Sequence, residues 1–472
     1  MSTSSRFEPV GATLFALALY AATGARDVQW GDPAKLTLYV FNFQPYLDQG
    51  THLGALAWAW PFTRLPIGSF AFRMTLASAA ASALATGFLH ASLLKCVRSP
   101  WAARTGTASF VVSHTFWFVS AIPESYPVSL LALTSASWLI VNGRNTLAAG
   151  LVLGVGALSN TLTLFGIPAA LWWLWQGRGG SDRDVLRVII GVIAGLGIPI
   201  LLVVPFNTAP MAMGTEWLGV LRSYTNWRTP ATNLPLLAAY FAYNFAGPAL
   251  VLIAVGFKSL GRRERMALAI LGATDYLFGL FYLPQRSYLI PLPVYLAAAS
   301  LVAVGSDQLL HRNPRISWVL FTSVVIAPVA IYGAVPLVLT GIRLPGVVRQ
   351  VPFRDEIRFY LRPWKNDERS ARRYIEALDR VIPNSAAVVG DFTIVMPLLY
   401  ANRVEGWKAE CAWEIVDLQP SDDILRAIGT HLAHGRRVFL LDDKPYYYPD
   451  EIRRRWDVAP AGVGSLQEVT LR

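Results

Sequence analysis

Charged residues are scarce in this chain. Only 15% of its 472 residues are Asp, Glu, Lys or Arg, whereas 54% are hydrophobic. A soluble protein carries roughly a quarter charged residues. The composition therefore excludes an ordinary soluble globular protein and indicates a chain that lies mostly in a lipid bilayer.

Cysteine and the common catalytic signatures are also rare or missing. The two cysteines, Cys96 and Cys411, cannot build a disulfide framework. The sequence has no P-loop, HExxH, GxSxG or Cys-x-x-Cys motif. Nucleotide hydrolysis and zinc chemistry therefore have no support from the sequence.

Long apolar runs are what the chain has instead. Runs of about 17–25 apolar residues are typical of membrane-spanning helices. About eleven are expected, near residues 10–25, 74–94, 105–120, 128–141, 146–159, 161–175, 188–206, 235–257, 267–282, 288–304 and 317–340. Because many spans follow it, the first run is interpreted as a retained anchor and not as a cleaved signal peptide.

Basic residues cluster in four loops, which predicts the orientation. The clusters are Lys95, Arg98 and Arg104; Arg178, Arg183 and Arg187; Lys258, Arg262, Arg263 and Arg265; and Arg312 and Arg315. With eleven alternating spans, all four loops fall on one side, which the positive-inside rule makes cytoplasmic. We therefore expect a bacterial plasma-membrane protein with a cytoplasmic N-terminus. The net charge of +11 follows from these loops and does not indicate a nucleic-acid partner.

The C-terminal part of the chain has a different pattern. After a transmembrane module of residues 1–345, residues 346–472 are predicted to form a periplasmic α/β domain, because helix-like and strand-like runs alternate there. A charged connector over residues 354–372 is expected to lie near the membrane surface. Asp391, Asp442 and Asp443 follow predicted strands, where ligands of α/β sheets often bind, but no Gly-rich phosphate motif accompanies them.

Polar residues are expected to gather on the predicted outer face. They are Asp27, Asp32, Asp48, His52, Glu124, Tyr126, Arg286 and Tyr288. Several of them also have a structural interpretation. Asp32-Pro33 suits a helix start, and His52 suits a structural hydrogen bond. Glu124 before Pro127 also suits a helix start, and Arg286 suits a snorkelling cation.

Together, a carboxylate and a cation at one membrane face fit group transfer from a phosphate-linked lipid. The carboxylate would take a proton from the acceptor hydroxyl. The arginine would stabilise the charge that develops on the leaving phosphate.

Several segments resemble the GT-C superfamily of polytopic glycosyltransferases, and within it the bacterial relatives of protein O-mannosyltransferases. The segments are Trp30-Gly31-Asp32, Pro66-Ile67-Gly68-Ser69-Phe70-Ala71-Phe72-Arg73, His114-Thr115-Phe116-Trp117, Glu124-Ser125-Tyr126, Ala157-Leu158-Ser159-Asn160-Thr161-Leu162-Thr163, Gln285-Arg286-Ser287-Tyr288-Leu289-Ile290-Pro291 and Ile382-Pro383-Asn384-Ser385-Ala386-Ala387-Val388-Val389. The likeness covers most of the first 175 residues.

The resemblance implies a polyprenyl-phosphate-sugar donor and transfer with inversion on the outer face. It implies Asp32 as the catalytic base, Glu124 as a second site acid and Arg286 as a contact of the donor phosphate. Asp27, Asp48, His52, Tyr126 and Tyr288 are then candidates for substrate binding. The acceptor hydroxyl could belong to a protein, a glycan or a lipid.

The chain departs from the family pattern after Asp32. It continues Pro33-Ala34-Lys35-Leu36, where relatives carry further acids, and Lys35 argues against a metal ion at this loop. No cofactor is assigned, and a divalent cation stays an open alternative. Two other functions also stay open: a transporter or flippase of a lipid-linked or anionic substrate, and a non-catalytic relative that binds a cell-envelope partner. A transporter would place charges at the membrane midplane. The charges of this chain cluster at the ends of its apolar runs, and Asp275 is the main exception.

Overall fold

The computed structural model describes residues 3–43, 52–143, 145–176, 182–203, 229–282, 289–340, 351–416, 422–442 and 450–472. The described residues up to 340 are mostly helical. The helices are α1 (Thr3–Thr23), α2 (Asp32–Asn42), α3 (Leu53–Ala59), α4 (Phe70–Cys96), α5 (Pro100–Val111), α6 (His114–Ser120), α7 (Tyr126–Val141), α8 (Thr146–Ala157), α9 (Gly166–Trp175), α10 (Asp182–Val203), α11 (Thr229–Asn244), α12 (Pro248–Ser259), α13 (Arg262–Phe281), α14 (Leu292–Arg312) and α15 (Ser317–Val338). Short 3₁₀ turns precede α9 and α15 (Thr161–Phe165 and Pro314–Ile316).

A helix or a pair of helices lies at every predicted membrane run. Among the described residues, α4, α10, α14 and α15 are long and apolar enough to cross a membrane. The pair α11 and α12 would form a fifth span, but it bends by 102°. The predicted single run 235–257 is therefore broken, because Gly247 has a φ of 83° and Pro248 begins the next helix. The larger count of about eleven spans stays a prediction.

Small residues bring the membrane helices close together. A Cβ added to Gly191 of α10 would lie 2.4 Å from the Leu147 carbonyl oxygen of α8, and one added to Gly154 of α8 would lie 2.4 Å from the Val192 carbonyl oxygen of α10. Membrane helices gain stability mainly from such close packing, since lipid offers no hydrophobic driving force between them. The α8–α10 contact therefore depends on glycine.

Beyond α15, residues 351–369 form a segment that we call the strap. It contains the short helix α16 (Glu356–Leu361). Phe359 is 8% exposed and packs in the same cluster as the membrane helices, and Trp364 lies 5.5 Å from Trp117 of α6, ring centre to ring centre. The expected surface connector is thus partly inserted among the helices, because its aromatic residues find apolar partners there.

Residues 370–472 form the tail domain, a mixed sheet with helices. Its elements are α17 (Ser370–Asp379), β1 (Ala387–Asp391), α18 (Phe392–Glu405), β2 (Ala412–Val416), α19 (Asp422–Ala433), β3 (Val438–Leu440), α20 (Asp450–Arg455), β4 (Asp457–Pro460) and β5 (Gln467–Thr470). The strand order is β2-β1-β3-β5-β4. The three strands β2, β1 and β3 are parallel, and β5 and β4 are antiparallel additions.

Strands β1 and β3 coincide with the strand-like runs of residues 386–389 and 437–441, and helices α17 and α19 with the helix-like runs of residues 370–381 and 422–433. The sequence does not predict β2, β4 and β5. β4 is an exposed edge strand that ends in Pro460. Proline cannot donate to a sheet and is confined to such edges. Edge strands of this kind lack the apolar alternation on which a sequence prediction depends.

Candidate functional site

Asp32 begins α2, directly after the turn at Gly31. Gly31 has a φ of 66° and is the residue that precedes the helix, so the expected N-cap role belongs to Gly31 and not to Asp32. An acidic side chain in the first turn is favoured by the helix dipole. The Gly31 amide donates to the Thr393 carbonyl oxygen of the tail domain (3.2 Å). The start of α2 and the tail domain together fix the position of the Asp32 backbone.

Asp27 is held by arginines of the tail region. Its Oδ1 accepts a hydrogen bond from Arg372 Nε (2.9 Å), and its Oδ2 lies 3.5 Å from Arg369 Nε. Arg372 also donates to both oxygens of Glu405. These bonds, first from Glu405 and then from Asp27, raise the pKa of Arg372. Asp27 therefore has a structural role, and its expected substrate contact stays a prediction.

Trp30 anchors the same loop, which we call the first loop (residues 24–31), in the tail domain. Its indole Nε1 donates to Ser370 Oγ (2.8 Å), and its ring lies 5.6 Å from the ring of Tyr374. Val28, Trp30 and Ala34 are buried in one apolar cluster with the tail domain. The first loop and the tail therefore lie on the same side of the helices, as the orientation predicts.

Lys35 is one turn beyond Asp32 and faces aromatic rings. Its Nζ lies 5.1 Å from the ring centre of Tyr39 and 5.5 Å from that of Phe392. Within the described part of the chain, no group of three or more His, Cys, Asp or Glu residues could hold a metal ion. A divalent cation at the first loop therefore stays an open alternative.

His52 precedes α3 in the left-handed conformation, with a φ of 48°. Its Nδ1 donates to the Ser159 carbonyl oxygen (2.7 Å), and the neighbouring Gly54 amide donates to the Leu158 carbonyl oxygen (3.1 Å). The structural interpretation of His52 is supported by this bond. A substrate contact of His52 stays a prediction.

The segment from Glu124 to Tyr126 contacts the turn at Ser159 and Asn160, which also binds His52. Asn160, which follows Ser159, caps a 3₁₀ turn and donates to Ser125 Oγ (3.3 Å). The Glu124 amide donates to Ser78 Oγ of α4 (2.9 Å), and Tyr126 begins α7. The structure therefore brings His52 and the segment 124–126 together around Ser159 and Asn160.

Helix α4 connects this group to the first loop. Ser69 at its N-terminus donates to the Arg26 carbonyl oxygen (2.8 Å), while Ser78 contacts Glu124. The two serines are nine residues apart, which is about 14 Å of α-helix. Helices α2, α3 and α4 also share an apolar cluster. Asp32 and Glu124 are thus attached to one rigid element. Asp48, Arg286 and Tyr288 lie outside the described residues.

Asp275 has a structural partner at the end of a helix. It is fully buried, and its Oδ2 accepts from the Val294 amide in the first turn of α14 (3.3 Å). Helix N-termini leave amides without intrahelical partners, so Asp275 satisfies one of them. Asp275, the buried charge that would favour a transporter, therefore has a role in the fold.

Sequence reasoning missed the residues of the tail that hold the first loop. These are Arg369, Ser370, Arg372 and Thr393. They are separated from the loop by more than three hundred residues, and no local pattern connects them. The only signal was the density of arginine in residues 354–373.

Comparisons with known proteins support the fold. No family model and no curated protein matches the sequence. Among solved structures, ArnT from Cupriavidus metallidurans, bound to undecaprenyl phosphate, aligns with a TM-score of 0.58 and 12% identity, over 99% of this chain and 98% of that one. An oligosaccharyltransferase of Archaeoglobus fulgidus with a tethered acceptor peptide aligns with a TM-score of 0.50 and 11% identity, over 92% and 69%. The arabinofuranosyltransferase AftD from Mycobacteria aligns with 0.54 and 13%, over 99% and 40%.

At these identities the likeness concerns the fold alone. Over nearly its whole length the chain shares the fold of ArnT and of AftD. The resemblance that the sequence segments indicate is confirmed at the level of the fold.

Proposed function

We propose that the chain is a membrane glycosyltransferase that moves a sugar from a polyprenyl-phosphate-linked donor to an acceptor hydroxyl. The supporting observation is the placement of Asp32. It starts a helix whose preceding residue is bonded to the tail domain, and the helix packs on α4, which also carries the contact to Glu124. A carboxylate held in this way is prepared for proton transfer without reorganisation.

In the proposed step, the Asp32 carboxylate accepts the proton of the acceptor hydroxyl. The acceptor oxygen then forms a bond to the anomeric carbon of the sugar, from the face opposite the phosphate. The bond between that carbon and the phosphate oxygen breaks, and its electron pair leaves with the polyprenyl phosphate. The configuration at the anomeric carbon is inverted. Glu124 is assigned to the site as a second acid that contacts the sugar.

The similar structures support the two substrate classes. ArnT was solved with undecaprenyl phosphate and the archaeal oligosaccharyltransferase with an acceptor peptide. A lipid-linked donor and a separate acceptor molecule are supported by this analogy of fold, and the acceptor hydroxyl is part of the proposal. We further propose that the site faces the periplasm of a bacterial plasma membrane, with the tail domain on the same side.

Substitution of Asp32 by Asn tests the proposal. The amide keeps the size of the side chain but cannot accept a proton, so transfer from a lipid-linked sugar should fall by about 10²–10⁴-fold. Donor binding and thermal stability should stay near those of the unsubstituted protein. Transfer at the original rate would remove Asp32 from the mechanism.

Asp27→Asn is the matched control. It removes a carboxylate five residues away, but one that is bonded to arginines and not assigned to proton transfer. We expect a lower melting temperature with the transfer rate retained within about tenfold. A donor that binds the unsubstituted protein but is never turned over would instead indicate a non-catalytic relative.

A further inference from the structure

The strap and the start of the tail domain enclose a cavity of about 120 Å³, which we call the strap cavity. A cavity needs roughly 10–15 Å³ of this volume to hold one water, so the strap cavity has room for several oxygen-sized groups. Its lining is strongly basic. Five cationic side chains line it: Arg358, Arg362, Lys365, Arg369 and Arg373.

Fewer carboxylates than cations line the strap cavity, and all three have partners within its wall. Asp355 accepts a hydrogen bond from the Arg358 backbone amide (3.0 Å). Asp367 pairs with Arg358 and Arg362. Glu368 accepts hydrogen bonds from the backbone amide (2.9 Å) and the hydroxyl of Ser370. Arg369 also lies 3.5 Å from Asp27, which is outside the lining, so the formal excess of two positive charges in the lining falls to one when Asp27 is counted. Arg373 is exposed and forms no ion pair among the described residues.

Lys365 is the most unusual group in the wall, because it is only 2% exposed. Its Nζ donates to the carbonyl oxygens of Phe359 (2.5 Å) and Arg362 and lies 4.6 Å from the ring centre of Phe118. No carboxylate of the described residues lies within ion-pair distance of it. Burial lowers the pKa of this amine.

Burial therefore favours the neutral amine of Lys365, and its ammonium form needs a counter-charge to be stable. It has three N–H donors, and the two carbonyls account for two of them. An anion in the adjacent cavity would supply both the missing charge and a third acceptor. Arginine side chains on the same wall can each present two parallel N–H donors to such an anion.

From this arrangement we propose that the strap cavity binds a phosphate group. A tetrahedral oxyanion offers several acceptors in different directions, which suits a wall of arginines and one lysine better than a single planar carboxylate does. The proposal goes beyond the proposed glycosyl transfer, since neither Asp32 nor Glu124 lines the cavity. Arg369 reaches from this wall to Asp27 of the first loop, so an occupant would lie next to that loop's anchor.

The first test measures the affinity of the full chain in detergent for inorganic phosphate by titration calorimetry. Arg373→Gln and Lys365→Met should each weaken binding about tenfold, the size expected for one charge-assisted hydrogen bond. Arg380→Gln, an exposed arginine outside the cavity, should leave binding unchanged. Equal affinity in all four proteins would overturn the proposal. So would the absence of phosphate binding to the unsubstituted chain.

A variant with the opposite sign guards against loss of folding. Asp367→Asn removes the carboxylate that competes for Arg358 and Arg362, so phosphate should bind several-fold more tightly. Since damaged proteins do not gain affinity, a gain supports the site directly. Weaker binding by Asp367→Asn would contradict it.

The phosphate could come from a lipid headgroup or from a soluble molecule, and nanodiscs separate the two. One preparation contains a phosphate-free glycolipid alone, and a second adds phosphatidic acid. If a lipid phosphate fills the cavity, phosphatidic acid should lower the apparent affinity for free phosphate about tenfold. If the source is soluble, the affinity should be the same in both preparations. Failure of free phosphate to bind in the phosphate-free nanodiscs would overturn the proposal in either form.

Discussion

Two contacts in this molecule are built on opposite principles. Helices α8 and α10 approach each other through glycines, with a carbonyl oxygen where a Cβ would be. The first loop and the tail domain meet through Asp27, Arg372 and Glu405, together with the buried ring of Trp30. The first contact depends on the absence of side chains, and the second depends on the charge and shape of particular ones.

The difference follows from the surroundings of each contact. In lipid, close packing is the main source of helix association, and a polar group without a partner is costly. At the membrane surface, water competes for every charge, so an ion pair gains stability only when it is partly buried. The side chains of Asp27 and Arg372 are only 16% and 18% exposed, so their ion pair is buried enough to gain stability. The membrane contact should therefore respond to added volume, and the loop contact to lost charge.

Gly191→Ala should have the largest effect on stability. The new Cβ would lie 2.4 Å from the Leu147 carbonyl oxygen, so α8 and α10 must move apart, at about 3 kcal/mol. Thermal unfolding in detergent measures this. The control is Gly197→Ala on the same helix, where a Cβ meets no atom within 4 Å. Alanine favours a helix over glycine by up to about 1 kcal/mol, so destabilisation by Gly197→Ala would undermine the interpretation.

Arg372→Met should come next. It keeps the aliphatic stem but leaves Asp27 and Glu405 without their shared cation, at about 2 kcal/mol. The unfolding of the tail domain, followed by tryptophan fluorescence, should occur at lower temperature. Arg373→Met alters a neighbouring arginine that has no ion pair among the described residues, and it should leave that transition in place. Equal shifts in the two variants would show that the loop contact does not depend on this cation.

Trp30→Phe should cost about 1 kcal/mol through the lost bond to Ser370. The phenyl ring keeps most of the contact with Tyr374. A double-mutant cycle with Ser370→Ala isolates the bond. In a protein that already carries Ser370→Ala, the hydrogen bond is absent, so Trp30→Phe should lower the stability much less. Full additivity of the two changes would rule out a contribution of this hydrogen bond.

Salt should have the smallest effect. Raising NaCl from 0.1 M to 1 M shortens the screening length from about 10 Å to about 3 Å. The stability difference between the unsubstituted protein and Arg372→Met should shrink by a few tenths of a kcal/mol. The difference between the unsubstituted protein and Gly191→Ala should stay the same. If salt changed the stability difference of Gly191→Ala as well, the two contacts would not differ in their dependence on charge.

The sequence predicts the elements of this fold better than their contacts. Apolar runs locate the helices because burial in lipid requires them, and the runs around Val388 and Leu440 locate β1 and β3. The break at Gly247 and Pro248 has a local signal that the length of the apolar run obscured. Strand β4 gave no signal, since an exposed edge has no apolar pattern to show.

The site divides in the same way. Asp32 and Glu124 could be selected from their position beside apolar runs and from the resemblance, and the structure attaches both to α4. The ion pair of Asp27 with Arg372 could not be found, because a pair between distant segments leaves no periodicity in either one. His52 was ambiguous from sequence, as a ring nitrogen suits a carbonyl or a ligand equally well.

The span between Asp27 and Arg372 also has a consequence in time. The two residues are 345 positions apart, and ribosomes add about 5–20 residues per second. Roughly 20–70 seconds therefore separate the synthesis of the first loop from that of its anchor. During this interval the loop is present without the tail domain that positions it. A chain that stops before its last hundred residues would carry Asp32 and the membrane helices without the contacts that Ser370, Arg372 and Thr393 make with the first loop.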